Sequence, residues 1–321
     1  MSIELPEGHF PFDRTARVLR DGTLVLTSEG PRPTFAATLL LITPEMVSEL
    51  TPTALQHEAF SQHTPVTLDD GDGLVVLTEP GTATRVDRDG TETPLRAPAG
   101  TEGFAVHDSA ARLDRIAPKR TGDGPWLVVL AHSMLSQETP GLAELAPDFS
   151  GWSSPFPLDA AEFPGDRFGG HAQDDANRVT IGATLTTPEH RYVFVEGSDR
   201  GSTNKYGSDF SSCVEVDAGG RVLRKVWEES GYKRMPGKHG IDGAFTSDGR
   251  WAILTPHFAS GPDKGKQRLL DLATGEQFRP KLPRGWTKAR IIEGAEAGWW
   301  LLDRSGGPKV SLVDLTLEPL N

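Results

Sequence analysis

The sequence predicts an all-β fold, a β-propeller formed as a single domain over residues 1–321, and three observations carry the prediction. Apolar strand cores of one type recur at residues 24–26, 74–77, 126–130, 192–195, 251–254 and 299–302, with starts 48 to 66 residues apart. A four-stranded blade takes roughly 40–50 residues, so each period is one blade with loops of varied length. Five of the cores follow a turn, among them Asp21-Gly22, Gly122-Asp123-Gly124 and Ser247-Asp248-Gly249. An Asp-Gly between apolar runs is a strong hairpin signal. Several third strands end in an aspartate and a glycine turn, as in Leu270-Asp271-Leu272-Ala273-Thr274-Gly275. Six cores give six blades, and the wide interval from Leu130 to Tyr192 leaves room for a degenerate seventh.

Taken in order, the first departure from the strand pattern is residues 43–60, TPEMVSELTPTALQHEAF. Thr43-Pro44 and Thr51-Pro52 each set a capping hydroxyl before a proline at the first helical position. They predict a short helical insertion near residues 43–60, and residues 139–149 open in the same way. Residues 150–170, rich in Pro, Gly, Ser and aromatics, read as a long surface loop. From 179 to 186, Val179, Ile181, Ala183 and Leu185 alternate with Thr180, Gly182, Thr184 and Thr186. Period two is a strand, with the first four on one face. Residues 238–276 hold the clearest whole unit: a strand from Gly243, a turn, a buried strand from Trp251 and a third from Gln267. Residues 309–315 read as a strand whose blade lacks a last member. The N-terminus is expected to supply it, which closes the ring and removes exposed edges.

Composition narrows the setting. The chain is 36% hydrophobic and 24% charged, with 35 Gly and 25 Pro, an ordinary soluble profile rich in turn formers. One cysteine, Cys213, excludes an internal disulfide and fits a reducing compartment. The N-terminus, MSIELPEGHF, has neither the basic segment nor the apolar core of a secretory leader. The longest apolar run, residues 35–42, is too short to span a bilayer. These points predict a cytoplasmic protein with no membrane partner. A formal charge of −12 argues against nucleic acid. The charge is uneven: residues 200–292 sum to +7 and the remainder to −19, an asymmetry able to steer a charged partner.

Two stretches carry a family resemblance. One is Gly170-His171, an alternating strand, a turn, the core at 192–195 and Gly197-Ser198-Asp199. The other is His239, then Phe245-Thr246-Ser247-Asp248-Gly249-Arg250, the core at 251–254 and Leu270-Asp271. Both resemble repeats of the WD40 and YVTN-like propellers over about residues 165–280. The terminal Trp-Asp pair of such repeats is replaced by Leu270-Asp271. The resemblance implies that the loops at residues 165–178, 196–210, 231–242 and 256–267 open on one face. Long loops on a rigid scaffold are where binding residues tend to sit.

The candidate ligand-binding residues follow from that placement. His107, His171 and His239 precede expected inner strands with acids nearby: Asp108, Asp174 and Asp175, and Asp242. Such groups can hold Zn²⁺ or act as an acid–base pair. The plainer reading is that each histidine and acid bond within the blade and fix a turn. Trp286, among Arg284, Lys288 and Arg290, suits an anionic or sugar-like partner, or simply packs beneath a snorkelling neighbour. Resemblance to six-bladed lactonase-like propellers implies a divalent-metal set at the channel mouth, for which Asp199, Asn204, Asp209 and Asp242 are the candidates, with Ca²⁺ or Mg²⁺ as the ion. Residues 261–266 mimic a phosphate loop but lack its length and its Ser or Thr, and Cys213 reads as packing rather than a nucleophile. The expectation is a non-catalytic module, with no cofactor, that binds a protein or a small anionic ligand at its loop face. The alternative is a metal-dependent hydrolase of the lactonase type.

Overall fold

In the computed structural model, hairpins follow one another around a ring. It describes residues 2–12, 15–30, 37–56, 66–69, 72–79, 82–95, 118–129, 141–151, 153–154, 156–158, 179–199, 208–233, 241–256, 266–286, 288–295, 297–305 and 307–320. The first blade holds β2 (Phe10–Pro11) and β3 (Arg17–Val18) end to end along the inner edge of β4 (Leu24–Glu29), then β5 (Ala37–Ile42) and β6 (Val47–Leu50). The second runs β7 (Val66–Asp69), β8 (Leu74–Glu79), β9 (Thr82–Val86) and β10 (Glu92–Leu95). After β11 (Pro118–Arg120) comes a small sheet of β12 (Trp126–Val129), β13 (Gly141–Leu145) and β14 (Phe156–Pro157). The third blade is β15 (Val179–Thr186), β16 (Arg191–Asp199), β17 (Ser208–Val216) and β18 (Val222–Lys233). The fourth is β19 (Ile241–Phe245), β20 (Trp251–Pro256), β21 (Arg268–Asp271) and β22 (Gln277–Lys281). The fifth is β23 (Arg290–Ala295), β24 (Gly298–Asp303) and β25 (Lys309–Val313), completed by β1 (Ser2–Glu4). A final strand, β26 (Thr316–Pro319), joins the outer edge of β22.

The expectation of six blades, or seven, is corrected to five. Among the described residues five sheets have four or more strands, and the β12–β14 sheet has three. The strand that would complete it, β11, instead runs parallel to β15, pairing Lys119 with Leu185. The small sheet is thus wedged between the second and third blades. Five of the six apolar cores are second strands of a blade, but the sixth, β12, begins the small sheet, so the error lies in assuming that each core brings a whole blade with it.

The helical insertion at 43–60 is also overturned. Thr43 Oγ1 does accept backbone N–H bonds, from Glu45 (3.3 Å) and Met46 (3.2 Å), but it caps a tight turn and not a helix. The chain then reverses as β6, with Val47 opposite Ile42. A single 3-10 turn at Thr53–Leu55 is the helical structure described there, and residues 57–60 lie outside the described residues. At 139–149 the described part is β13, not a helix.

Apolar clusters sit between consecutive sheets all around the ring. Leu24, Leu26 and Leu40 of the first blade pack on Trp300 and Val310 of the fifth. Phe194 and Trp227 of the third blade pack with Ile241 and Leu254 of the fourth. Burying such side chains contributes about 1.5–3 kcal/mol each. Side chains also stitch neighbours: Arg191 pairs with Glu144, and Arg268 Nη2 donates to Glu229 Oε2 at 2.6 Å. The N-terminal closure forms as expected, with Ser2, Ile3 and Glu4 opposite Ser311, Val310 and Lys309. The alternation at 179–186 does not hold throughout. A bulge at Gly182 shifts the register, so Ile181 faces the small sheet while Ala183 and Leu185 face the fourth blade.

Candidate functional site

The two ends of the ring differ. At the end of the Asp-Gly turns, side chains from several inner strands meet on the axis. Arg17 on β3, Lys119 on β11 and Glu293 on β23 are all buried. Lys119 Nζ donates to Glu293 Oε2. The other carboxylate oxygen, Oε1, accepts from the N–H groups of Ser247 (2.7 Å) and Gly294 (2.9 Å). Ser247 Oγ donates to Glu293 Oε2 at 3.0 Å and accepts from the Val18 N–H at 3.1 Å. Arg17 Nη1 donates to the Thr67 carbonyl on β7 at 2.7 Å. Burial pushes the Lys119 amine down and the Glu293 carboxyl up, and their pairing opposes both shifts. Glu293 thus gathers bonds from its own blade, the fourth blade and β11, and through Ser247 it ties in the first. Lys119, Ser247 and Glu293 are spent on one another, whereas Arg17 Nη2 is buried with no hydrogen-bond partner among the described residues.

The opposite end carries the cleft. Asp242 and Gly243 near the start of β19, Thr255 near the end of β20, Gln267, and Arg290 with Ile291 and Ile292 on β23 line a recess between the fourth and fifth blades. Its cavity volume is about 30 Å³, room for roughly two water-sized groups. Gln267 forms the floor. Its Nε2 donates to Thr255 Oγ1 and to the Ile291 carbonyl, both at 2.9 Å, and its Oε1 accepts the Ile291 N–H at 2.6 Å. The amide is therefore committed to joining two blades. Asp242 and exposed Arg290 form the rim. The connection from β22 to β23, which leads into Arg290, carries Arg284 and Lys288, both exposed and without an ion pair among the described residues. From Gln277 to Ile292 the chain has no acidic residue.

Of the residues the sequence singled out, Asp242 lies in this cleft. Trp286 does not line it. The indole is half-buried against the cluster that contains Ile253 and Ile291, and Lys309 Nζ stands 5.2 Å from its ring centre. Its place is packing under a cation. Asp199 and Asp209 fall on the paired ends of β16 and β17, where Ser198 is opposite Asp209 and Asp199 opposite Ser208. His107, His171, Asp174, Asp175, Asn204 and His239 lie outside the described residues. Among the described residues no group of three or more His, Cys, Asp and Glu is gathered as for a metal ion. The Cys213 thiol is buried, and burial pushes its pKa up, away from nucleophile range. Sequence reasoning missed Arg17, Lys119 and Glu293. Their signal is a charge set inside an apolar inner strand, as in Ala16-Arg17-Val18-Leu19 and Ile291-Ile292-Glu293.

No family model and no curated protein matches the chain. Among solved structures it is similar to BamB from Moraxella catarrhalis, at 13% identity and a TM-score of 0.36 over 92% of this chain and 80% of that one. It is similar to virginiamycin B lyase from Staphylococcus aureus, at 12% identity and 0.39 over 100% and 87%. A chain of a mitotic checkpoint complex aligns at 10% identity and 0.40 over 100% and 82%. Likenesses this distant say nothing about a ligand, and the propeller is read from its own sheets. Among the described residues no helix is long and apolar enough to cross a membrane.

Proposed function

We propose that this propeller is a non-catalytic binding module that meets an acidic protein surface or a small anionic group at its loop face. The observation that supports the reading is the exposed basic run of Arg284, Lys288 and Arg290, whose last member lines the cleft, on a chain whose net charge is −12. Small-molecule sites enclose most of their ligand. A recess of about 30 Å³ seats the tip of a side chain or a carboxylate, which suits a contact surface better than an enclosing substrate pocket. A local basic patch on an acidic molecule also orients an approaching partner. A cytoplasmic setting fits, since Cys213 is a free, buried thiol.

The test is surface binding to immobilised poly-L-glutamate and poly-L-lysine at low and high salt. The reading expects salt-sensitive binding to polyglutamate, weakened at least about tenfold by R284E/K288E/R290E. Binding to polylysine alone, as the net charge by itself would favour, overturns it.

A further inference from the structure

We infer that the propeller binds a small monovalent anion, of the size of chloride, against Arg17 at the end of the axis that carries the Asp-Gly turns. Arg17 lies on β3 and is 1% exposed. Its Nη1 donates to the Thr67 carbonyl on β7 at 2.7 Å, and its Nε reaches the Thr15 carbonyl at 3.5 Å. Nη2 is buried and has no hydrogen-bond partner among the described residues. The guanidinium is planar, so two anchored nitrogens also fix the direction of the third. Nη2 therefore cannot turn to another acceptor, and the group keeps its charge. A buried donor on a charged group that goes unanswered costs more than an ordinary hydrogen bond gains.

The charges around Nη2 favour a negative partner. Arg17 and Lys119 are both buried on this axis, and the fully buried carboxylate beside them is that of Glu293. It is spent on Lys119, on Ser247 and on the Gly294 N–H. Burial lowers the pKa of the Arg17 guanidinium, and attraction by Asp69 and Glu293 offsets only part of this. Asp69, half-buried on β7, thus acts on Arg17 through space and not through a bond to Nη2. The same two carboxylates set the class of ligand. They repel a dianion more strongly than a monovalent ion. A buried site also favours an ion that is small and gives up its water at modest cost. The site lies at the other end of the ring from the cleft, so it does not depend on the surface reading above.

The test is hydrogen exchange of the full wild-type chain in sodium chloride and in sodium gluconate at equal ionic strength, gluconate being too large to enter. An anion held only by the closed state slows exchange by one plus its concentration over Kd. Each tenfold rise in chloride above Kd should therefore slow the amides of residues 15–19 and 66–69 about tenfold, and bromide should act likewise. Amides at 284–290 should not change. R17M should lose the chloride effect and R284E/K288E/R290E should keep it, which separates this site from the basic run. Equal exchange in the two salts overturns the proposal, since an uncharged group then answers Nη2. A slowing as large at 284–290, or one that survives R17M, overturns it too. So does a slowing lost in the triple variant, for the anion then sits on the basic run. The regional comparison is made on the wild-type chain, so it decides the matter even where R17M fails to fold.

Discussion

Gly243 lies flat against the ring of Phe194. A Cβ built there would stand 2.2 Å from Phe194 Cδ2, and the ring is itself stacked on Trp227. Gly243→Ala should therefore cost about 1–3 kcal/mol by urea denaturation, and Phe194→Leu in the same chain should recover part of it. Gly182 is the contrasting case, for its added Cβ would meet Glu196 Oε1, the far end of a side chain, at 2.9 Å. Gly182→Ala should cost less. Neither constraint was legible in the sequence, because each comes from a neighbour met only in the folded sheet. The hairpin glycines were legible: Gly22 and Gly249 take φ of +87° and +74°, as an Asp-Gly turn requires. Asp303 supplies a pH response. Burial pushes its carboxyl up, but bonds from Ser305 N–H (2.8 Å) and Oγ (2.6 Å), with Lys309 nearby, outweigh that and hold it below the usual range. A depressed carboxyl adds stability that is present above its unfolded value of about 3.9 and lost as pH falls through the folded one. Thermal melts should drop below about pH 4, and Asp303→Asn should flatten the drop.

At the scale of the element, strands were read well and their partners less well. Each apolar core became a strand, and all but β12 became second strands, because period two and its turns are local properties. Helices were expected at 43–60 because Thr before Pro is also local chemistry, and the same hydroxyl serves a turn equally well. The choice between them fell to tertiary pairing, which set Val47 opposite Ile42. β11 shows the same limit, since nothing in Pro118-Lys119-Arg120 says which neighbour it will join. The closure by β1 was legible from a blade that lacked a strand. Its energy depends on buried Leu5, whose N–H also donates to the Pro308 carbonyl at 2.9 Å. Leu5→Ala should cost about 2–4 kcal/mol. Amides of β25 should exchange faster while those of β16 stay protected; uniform loosening would contradict a local closure.

For the whole molecule, Lys119 and Glu293 join segments 174 residues apart. Losing one partner of a buried pair strands the other charge, whereas losing both need not. Glu293→Gln or Lys119→Met alone should cost about 3–5 kcal/mol, and K119M/E293Q should recover most of it. A double-variant cycle on denaturation midpoints measures this, and additive losses would show that the pair acts independently. Of the candidate site, the position of Asp242 at the start of an inner strand was legible from repeat topology, but the cleft depends on a blade boundary that no single repeat encodes. The pairing of β1 with β25 also has a consequence during synthesis. At about 5–20 residues per second, Ser2 to Glu4 wait roughly 15–60 s before Lys309 to Ser311 have been made. β1 therefore waits while β2 to β24 are made. Nascent chains carry β1 without its partner until the fifth blade is made, and a chain that stops before Lys309 holds a ring that cannot shut.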